Sequence, residues 1–148
     1  INMKIGTIIE NGKKVSVILS QKNKIKKIPD FENSKNNICI LDLINKLSED
    51  HDYLNKIHIE SSNFEGINEK NIDWAPPIFN PSKIIGVAFN NKELVKKAHV
   101  DPGVPNFFLK PPSCLQGHNK PIIVDPEWGA VIPEPEICAI IGKKAKHI

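Results

Sequence analysis

The sequence predicts an α+β protein, mostly β, with a small hairpin-plus-helix domain over residues 1–70 and a second β-rich domain over residues 71–148. Three observations carry this prediction. Apolar residues alternate around an Asn-Gly pair near the start, and a helical apolar period follows over residues 40–58. A polar stretch ending at Pro76-Pro77 then separates these elements from a series of short apolar segments, which places the boundary near residue 71.

A β-hairpin is predicted at the start of the chain. Apolar residues alternate from Ile5 to Ile9 and again from Val15 to Leu19. Between them, Asn11-Gly12 tolerates the positive φ angles of a two-residue hairpin turn. The two alternating runs are therefore expected to pair as antiparallel strands.

One or two amphipathic helices are predicted over residues 40–58, where the apolar period changes to that of a helix. His51 and His58 lie in this segment close to Asp50 and Asp52. These side chains could contribute to a metal site, but polar surface residues around a helix break explain them more simply.

The second half of the chain predicts several strands. Residues 83–89 are expected to form a buried strand that leads into a short helix. Residues 101–121 are rich in proline and predict a rigid loop with little regular structure. Residues 122–124 and 130–146 predict two more strands, and the apolar part of the second, residues 137–141, is expected to be buried.

Composition argues against several classes of function. All twenty basic residues are lysines and the net charge is only +3, with no aromatic residues between the lysine runs, so nucleic acid is not an expected partner. No apolar run approaches the length of about 18 residues that a membrane span needs, and no secretory signal opens the chain. The widely spaced Cys39, Cys114 and Cys138 form no CxxC motif and favour a reducing compartment, the cytoplasm.

The most specific chemical feature is the pair Glu134-x-Glu136. Residues two apart in a strand point to the same face, roughly 7 Å apart, so both carboxylates could converge on one cation. Oxygen ligands suit a hard ion such as Mg²⁺, Mn²⁺ or Ca²⁺. Pro133 and Pro135 remove two backbone donors and indicate a strand edge or a bulge. A solvated strand face is the alternative for an isolated motif of this kind.

Three segments in order, NPSKIIGVAFNN, FFLKPPSCL and PEPEICAIIGKKAK, give the chain its resemblance to a known family. Over about residues 74–148 it resembles the fumarylacetoacetate hydrolase superfamily, and the N-terminal unit is similar to the small leading domain of many members. The resemblance implies the first part of a distorted β-barrel-like, β-roll catalytic domain. It also implies a homodimer and an enzyme that uses a divalent ion, usually Mg²⁺, on a diketo or 2-oxo acid. The reaction would be hydrolysis, hydration, isomerisation or decarboxylation.

The resemblance also implies roles for individual residues. Glu134 and Glu136 match two metal ligands of the family, whereas a third ligand, an Asp, is expected beyond the last residue, Ile148. The catalytic domain therefore looks truncated. The alternative function is a catalytically incomplete fragment or subunit that acts through self-association or a partner chain, because an unfinished sheet exposes edges and apolar faces.

The general base is the second departure from the family. Where members often carry an Asn-Tyr-x-x-His pattern, residues 90–94 end in Leu94, which cannot move a proton. His99 is the candidate base, because it lies further along the same segment, and a base must come within hydrogen-bond reach of its proton. A surface histidine is the competing interpretation. Glu93 is a second candidate, with a solvated helix face as its alternative role.

Two residues are candidates for binding the substrate. Lys110 could contact a substrate carboxylate, and Ser113 could donate a hydrogen bond to it. The alternative is structural: Lys110 would anchor a loop and Ser113 would cap a turn. The sequence leaves both interpretations open.

Overall fold

The computed structural model describes residues 4–19, 24–28, 38–62, 66–68, 70, 72–98 and 103–148, and it confirms an α+β arrangement rich in sheet. In chain order the elements are β1 (Lys4–Glu10), β2 (Lys13–Leu19), β3 (Lys24–Lys27), α1 (Ile40–Glu49), α2 (His51–Ser62), β4 (Ile67–Asn68), β5 (Trp74–Ala75), β6 (Ile84–Ala88), α3 (Lys92–Ala98) and β7 (Asn106–Lys110). The chain divides into two compact units, residues 1–77 with 116–148, and residues 78–115. The boundary near residue 71 and the barrel-like form of the catalytic domain stay predictions.

The first unit contains a five-stranded antiparallel sheet in the order β4-β3-β2-β1-β5. The predicted hairpin is confirmed, because β1 and β2 pair from Glu10 opposite Lys13 to Lys4 opposite Leu19. Asn11 and Gly12 have φ angles of 50° and 74°, the two positive values that a type I′ turn requires. The Asn-Gly pair thus sets the register of the two central strands.

Both faces of this sheet are covered. One face holds the cluster Ile8, Val15, Val17 and Ile25, with Trp74 packed against it. The opposite face holds Ile18, Ile28, Leu43 and Ile57, so α1 and α2 cover it. The two alternating runs of the hairpin therefore lie on opposite faces, since Ile5 pairs with Ile18 and not with Val17.

The predicted pair of helices is confirmed, with the break at Asp50. The Sγ atom of Cys39 accepts from the N–H of Asp42 at 3.5 Å at the start of α1. Asp50 ends α1, and its carboxylate accepts from the N–H groups of Asp52 and Tyr53 at 2.9 and 3.2 Å, which caps α2. Asp50 therefore has a structural role. None of the described helices is both long and apolar enough to cross a bilayer.

Residues 116–148, all described, contain no strand and no α-helix. The strands predicted at residues 122–124 and 130–146 are therefore wrong, and so is the burial predicted for residues 137–141: the side chain of Ile137 is fully exposed. The physical reason is the lack of a partner, because no described strand bonds to these residues and a strand is stable only in a ladder. The chain here is held by turns such as the 3₁₀ turn Pro126–Trp128.

Three contacts hold this long segment against the sheet and helices of the same unit. Gly117 lies so close to the backbone of Trp74 that no side chain would fit there. The ammonium of Lys120 forms an ion pair with Asp73 at 2.6 Å, just before β5. Further along, a Cβ on Gly142 would stand 2.5 Å from Cγ2 of Ile44 on α1. The segment thus lies against the unit without adding to its sheet.

The second unit, residues 78–115, consists of an antiparallel pair, β6 and β7, connected through α3. The strand and the short helix predicted here are confirmed, but the burial predicted for the strand is wrong, because Ile85 and Val87 are exposed. The predicted loop over residues 101–121 is also wrong in part, since it contains β7. Pro105 and Pro111 flank that strand and concealed it in the sequence.

Candidate functional site

The two glutamates of the E-x-E motif lie in an exposed stretch without regular secondary structure. Within the described part of the chain, neither carboxylate forms a hydrogen bond or an ion pair. Pro133 and Pro135 alternate with Glu134 and Glu136, and the proline rings hold their own φ angles at about −65°. No strand therefore places both carboxylates on one face, but both side chains remain available to a ligand.

The chemistry of this pair fits a hard divalent cation. Among the described residues, no group of three or more His, Cys, Asp or Glu side chains could hold a metal ion. Mg²⁺, however, is usually held by one or two carboxylates, with waters and substrate oxygens as its other ligands. Glu134 and Glu136 thus offer part of a ligand set for Mg²⁺, and Mn²⁺ or Ca²⁺ would accept the same oxygens.

Lys110 is the last residue of β7 in the second unit and pairs with Ile84 on β6. The lysine is exposed, and its Nζ lies 5.9 Å from the centre of the Phe108 ring. No carboxylate of the described residues pairs with this ammonium. Lys110 could therefore bind an anion from solution without first breaking an ion pair.

Ser113 lies in the middle of a 3₁₀ turn, Pro112–Cys114, directly after β7. Backbone bonds close the turn, with the N–H of Cys114 donating to Pro111 at 3.0 Å and that of Leu115 donating to Pro112 at 3.1 Å. The Ser113 side chain is exposed and forms no hydrogen bond with any described residue. The turn therefore does not need the hydroxyl group as a cap, which leaves it able to donate to a ligand.

The candidates for the general base lie at and beyond α3. Asn91 caps this helix, since its Oδ1 accepts from the N–H groups of Glu93 and Leu94 at 3.0 and 3.3 Å. The Glu93 side chain is exposed in the first turn, and Leu94 is exposed and carries no proton. His99 lies outside the described residues. Its role as base, like those of the other candidate site residues, stays a prediction.

Two local features of this region were not predicted from the sequence. The first is the capping role of Asn91, for which an Asn directly before the helix and two residues ahead of the acidic Glu93 is a usable signal. The second is the contact of Lys110 with the Phe108 ring. Phe108 and Lys110 are two residues apart, so they share a face only if the segment is a strand, and that strand had been predicted as a loop.

Comparison with known proteins finds one matching family model and several similar proteins. The sequence profile described as "Fumarylacetoacetate (FAA) hydrolase C-terminal" matches residues 83–148. An uncharacterized protein of Pyrococcus abyssi is 41% identical over 69 residues, which are 46% of this chain and 31% of the relative. No solved structure gives a significant match.

Two further relatives carry the name of an activity. A mitochondrial oxaloacetate tautomerase of Xenopus laevis is 35% identical over 88 residues, 59% of this chain and 28% of that protein. A mitochondrial oxaloacetate tautomerase of Homo sapiens is 31% identical over 78 residues, 52% of this chain and 25% of that protein. This chain thus matches between 25% and 31% of the length of these three relatives.

Proposed function

We propose that this protein carries out a divalent-metal-dependent reaction on a 2-oxo or diketo acid, because residues 83–148 match the model of the fumarylacetoacetate hydrolase family. The observation that carries the proposal is Glu134-x-Glu136, which lies inside the matched region with both carboxylates exposed and unpaired among the described residues. Hydrolysis, hydration, isomerisation and decarboxylation are all reactions of such acids. Oxaloacetate is the first substrate to test, because two of the relatives are named oxaloacetate tautomerases.

Glu134 and Glu136 would hold the metal ion, Mg²⁺ in the first instance and Mn²⁺ or Ca²⁺ as alternatives. A divalent ion bound there supplies Lewis-acid polarisation of the substrate's carbonyl and stabilises negative charge on its oxygen. The two glutamates bring negative charge that favours cation binding, and their flanking prolines restrict the backbone between them, which lowers the entropy lost on binding.

Lys110 and Ser113 are the proposed contacts to the acid itself. The ammonium of Lys110 pairs with a substrate carboxylate, and the hydroxyl of Ser113 donates a hydrogen bond to the same group. Both side chains are exposed and lie within one short stretch at the end of β7. Ser113 lies in the turn Pro112–Cys114, which begins two residues after Lys110, and a cation with a hydroxyl donor suits a carboxylate.

The proton at the carbon next to the carbonyl needs a base. We assign this role to His99, with Glu93 as the second candidate, because Leu94 at the family's usual position accepts no proton. Variants separate the two: His99→Ala and Glu93→Gln remove one proton acceptor each. The variant that loses catalysis while still binding the acid identifies the base, and loss in neither variant would exclude both residues.

Isothermal titration calorimetry tests the metal assignment. We expect Mg²⁺ to bind the wild-type chain. Its affinity for Glu134→Gln and for Glu136→Gln should be lower by at least about tenfold, since even removal of an outer-shell partner can cause a loss of that size. Glu127→Gln is the matched control, because Glu127 is an exposed acid in the same unit outside the motif. Equal affinity of Glu134→Gln and the wild type would contradict the assignment.

The substrate assignment has its own assay. The keto–enol conversion of oxaloacetate is followed by ultraviolet absorbance with the protein and Mg²⁺, and again after chelation of the metal. We expect acceleration that chelation abolishes and that Lys110→Met weakens through a higher KM. If Mg²⁺ binds but oxaloacetate and a diketo acid both convert at the uncatalysed rate, the metal site stands and the substrate class is wrong.

A second candidate function is an association module that acts through a second copy or a partner chain. The observation that favours it is the number of large apolar side chains that are strongly exposed, among them Ile123 at 84%, Ile132 at 79% and Ile141 at 78%. A homodimer is also our proposal for the enzyme. Sedimentation velocity over a range of concentrations tests both, and a compact monomer at all concentrations would contradict them.

For location we propose the cytoplasm, because all three cysteines are free and two of them, Cys114 and Cys138, are exposed. The two oxaloacetate tautomerases described above are named as mitochondrial, which makes that compartment the alternative outcome. Fractionation of the tagged protein against markers for the two compartments distinguishes them.

A further inference from the structure

We infer that Phe108 is a positioning residue for the Lys110 ammonium and that Gly86 provides the space in which the Phe108 ring lies. The inference rests on the proposed function only in that Lys110 is there a substrate contact. Three residues on one face of the β6–β7 pair carry it, namely Gly86, Phe108 and Lys110.

The strand register brings these residues together. Phe108 lies directly opposite Gly86, and Lys110 lies opposite Ile84, in the antiparallel pair. Phe108 and Lys110 are two residues apart on β7, so their side chains leave the same face of the strand. Phe107 points to the opposite face and is 66% exposed. The sheet therefore separates the two aromatic neighbours into one that can reach Lys110 and one that cannot.

The Phe108 ring lies across the position where a side chain of Gly86 would be. A Cβ on Gly86 would stand only 2.5 Å from Cε1 and 2.6 Å from Cε2 of the ring. Such distances are well inside the contact distance of two carbon atoms. Glycine here serves through its missing side chain, because the far end of the ring occupies the space that a Cβ would fill.

The ring in turn restrains the lysine. The Nζ of Lys110 lies 5.9 Å from the ring centre, within the range of about 6 Å over which an aromatic face attracts a cation. A free lysine side chain loses rotamer freedom when it binds a ligand, and a side chain already held over a ring loses less of it. The ring accepts no N–H bond of ordinary strength, so the ammonium retains donors for a carboxylate.

The position of Lys110 is measured by nuclear magnetic resonance, without reference to any activity. In the wild-type chain we expect the ε protons of Lys110 to be shifted upfield by the ring current of Phe108. Phe108→Leu should remove that shift and Phe108→Tyr should retain it, since tyrosine keeps an aromatic ring. Phe107→Leu is the matched control and should leave it unchanged. Gly86→Ala should reduce the shift, because the added methyl group displaces the ring.

Two results would overturn the inference at this stage. One is an ordinary chemical shift for the ε protons of Lys110 in the wild-type chain. The other is an equal effect of Phe107→Leu and Phe108→Leu, which would indicate a general loss of structure. Retention of the shift in Phe108→Tyr together with its loss in Phe108→Leu would support the inference, because it assigns the shift to an aromatic ring at position 108 that lies close to the lysine side chain.

Titration with oxaloacetate separates this inference from the proposed function. We expect the Lys110 signals to move on binding, with Kd raised about two- to fivefold in Phe108→Leu and unchanged in Phe107→Leu. If the ring-current shift behaves as expected but oxaloacetate does not move the Lys110 signals, Phe108 still positions the ammonium and the substrate assignment fails. Equal Kd values for the wild type and Phe108→Leu would overturn the positioning role.

Discussion

The hairpin of β1 and β2 and the segment of residues 130–141 are built from the same kinds of residue, yet only the hairpin buries them. Ile18 in β2 is 0% exposed, whereas Ile137 is completely exposed. β2 has a paired strand on each side and a covered face above and below it, and residues 130–141 have neither. Apolar, β-branched residues thus form a strand only where a partner edge is present, and they are buried only where a layer covers that strand.

Replacement of one buried and one exposed isoleucine should give the largest difference between the two regions. Ile18→Ala removes a side chain packed with Leu43 and Ile57, and should lower the free energy of unfolding by about 2–5 kcal/mol. Ile137→Ala removes no packed contact and should change it by less than about 0.5 kcal/mol. Urea unfolding followed by circular dichroism measures both.

The result for Ile137→Ala tests whether this side chain is packed in solution. A loss of more than about 1 kcal/mol at this position would show that Ile137 is packed in solution, for instance against a second copy. The two regions would then both bury their isoleucines, because the segment would have found a covering layer. Repeating the measurement at several protein concentrations tells packing within one chain from packing between copies, since only the latter depends on concentration.

A smaller effect is expected at two glycines that share a positive φ angle. Gly12 and Gly129 have φ angles of 74° and 76°, which residues with a side chain adopt only at a cost of about 1–2 kcal/mol or more. Gly12 lies in the turn that sets the register of β1 and β2, so Gly12→Ala should lower the unfolding midpoint. Gly129 ends a 3₁₀ turn outside the sheet, so Gly129→Ala should leave the midpoint unchanged. Equal shifts would mean that the segment unfolds together with the sheet.

The same contrast explains which parts of the fold could be predicted from the sequence. The hairpin could be predicted because Asn11-Gly12 encodes its turn locally, and the two helices because their period and the break at Asp50 are local signals. The absence of a strand at residues 130–146 could not be predicted, since whether this segment pairs with another strand depends on distant residues. β7 was missed for the opposite reason, because Pro105 and Pro111 beside it indicated a loop although residues 106–110 pair with β6.

The candidate site shows a similar division. Glu134, Glu136, Lys110 and Ser113 could be identified as chemically interesting from motif and resemblance alone, and all four are exposed. The surroundings of these four side chains could not be identified, because those surroundings depend on which strands pair with one another. Gly86 opposite Phe108 is visible only once the register is known, and the exposure of the two glutamates follows from the absence of a strand that the sequence had suggested.

The smallest expected effect concerns one ion pair in each region. Lys27 pairs with Glu10 at 2.7 Å and joins β3 to β1, whereas Lys120 pairs with Asp73 at 2.6 Å and attaches the long segment to the sheet unit. Both pairs are partly exposed, at 32% and 36% against 40% and 45%, so each should contribute at most about 0.2–1 kcal/mol.

Double-mutant cycles with Lys27→Met and Glu10→Gln, and with Lys120→Met and Asp73→Asn, measure the two couplings. We expect the first coupling to be the larger and both to fall in high salt. A larger coupling for Lys120 with Asp73 would show that the segment is held to the sheet more firmly than its lack of strands implies.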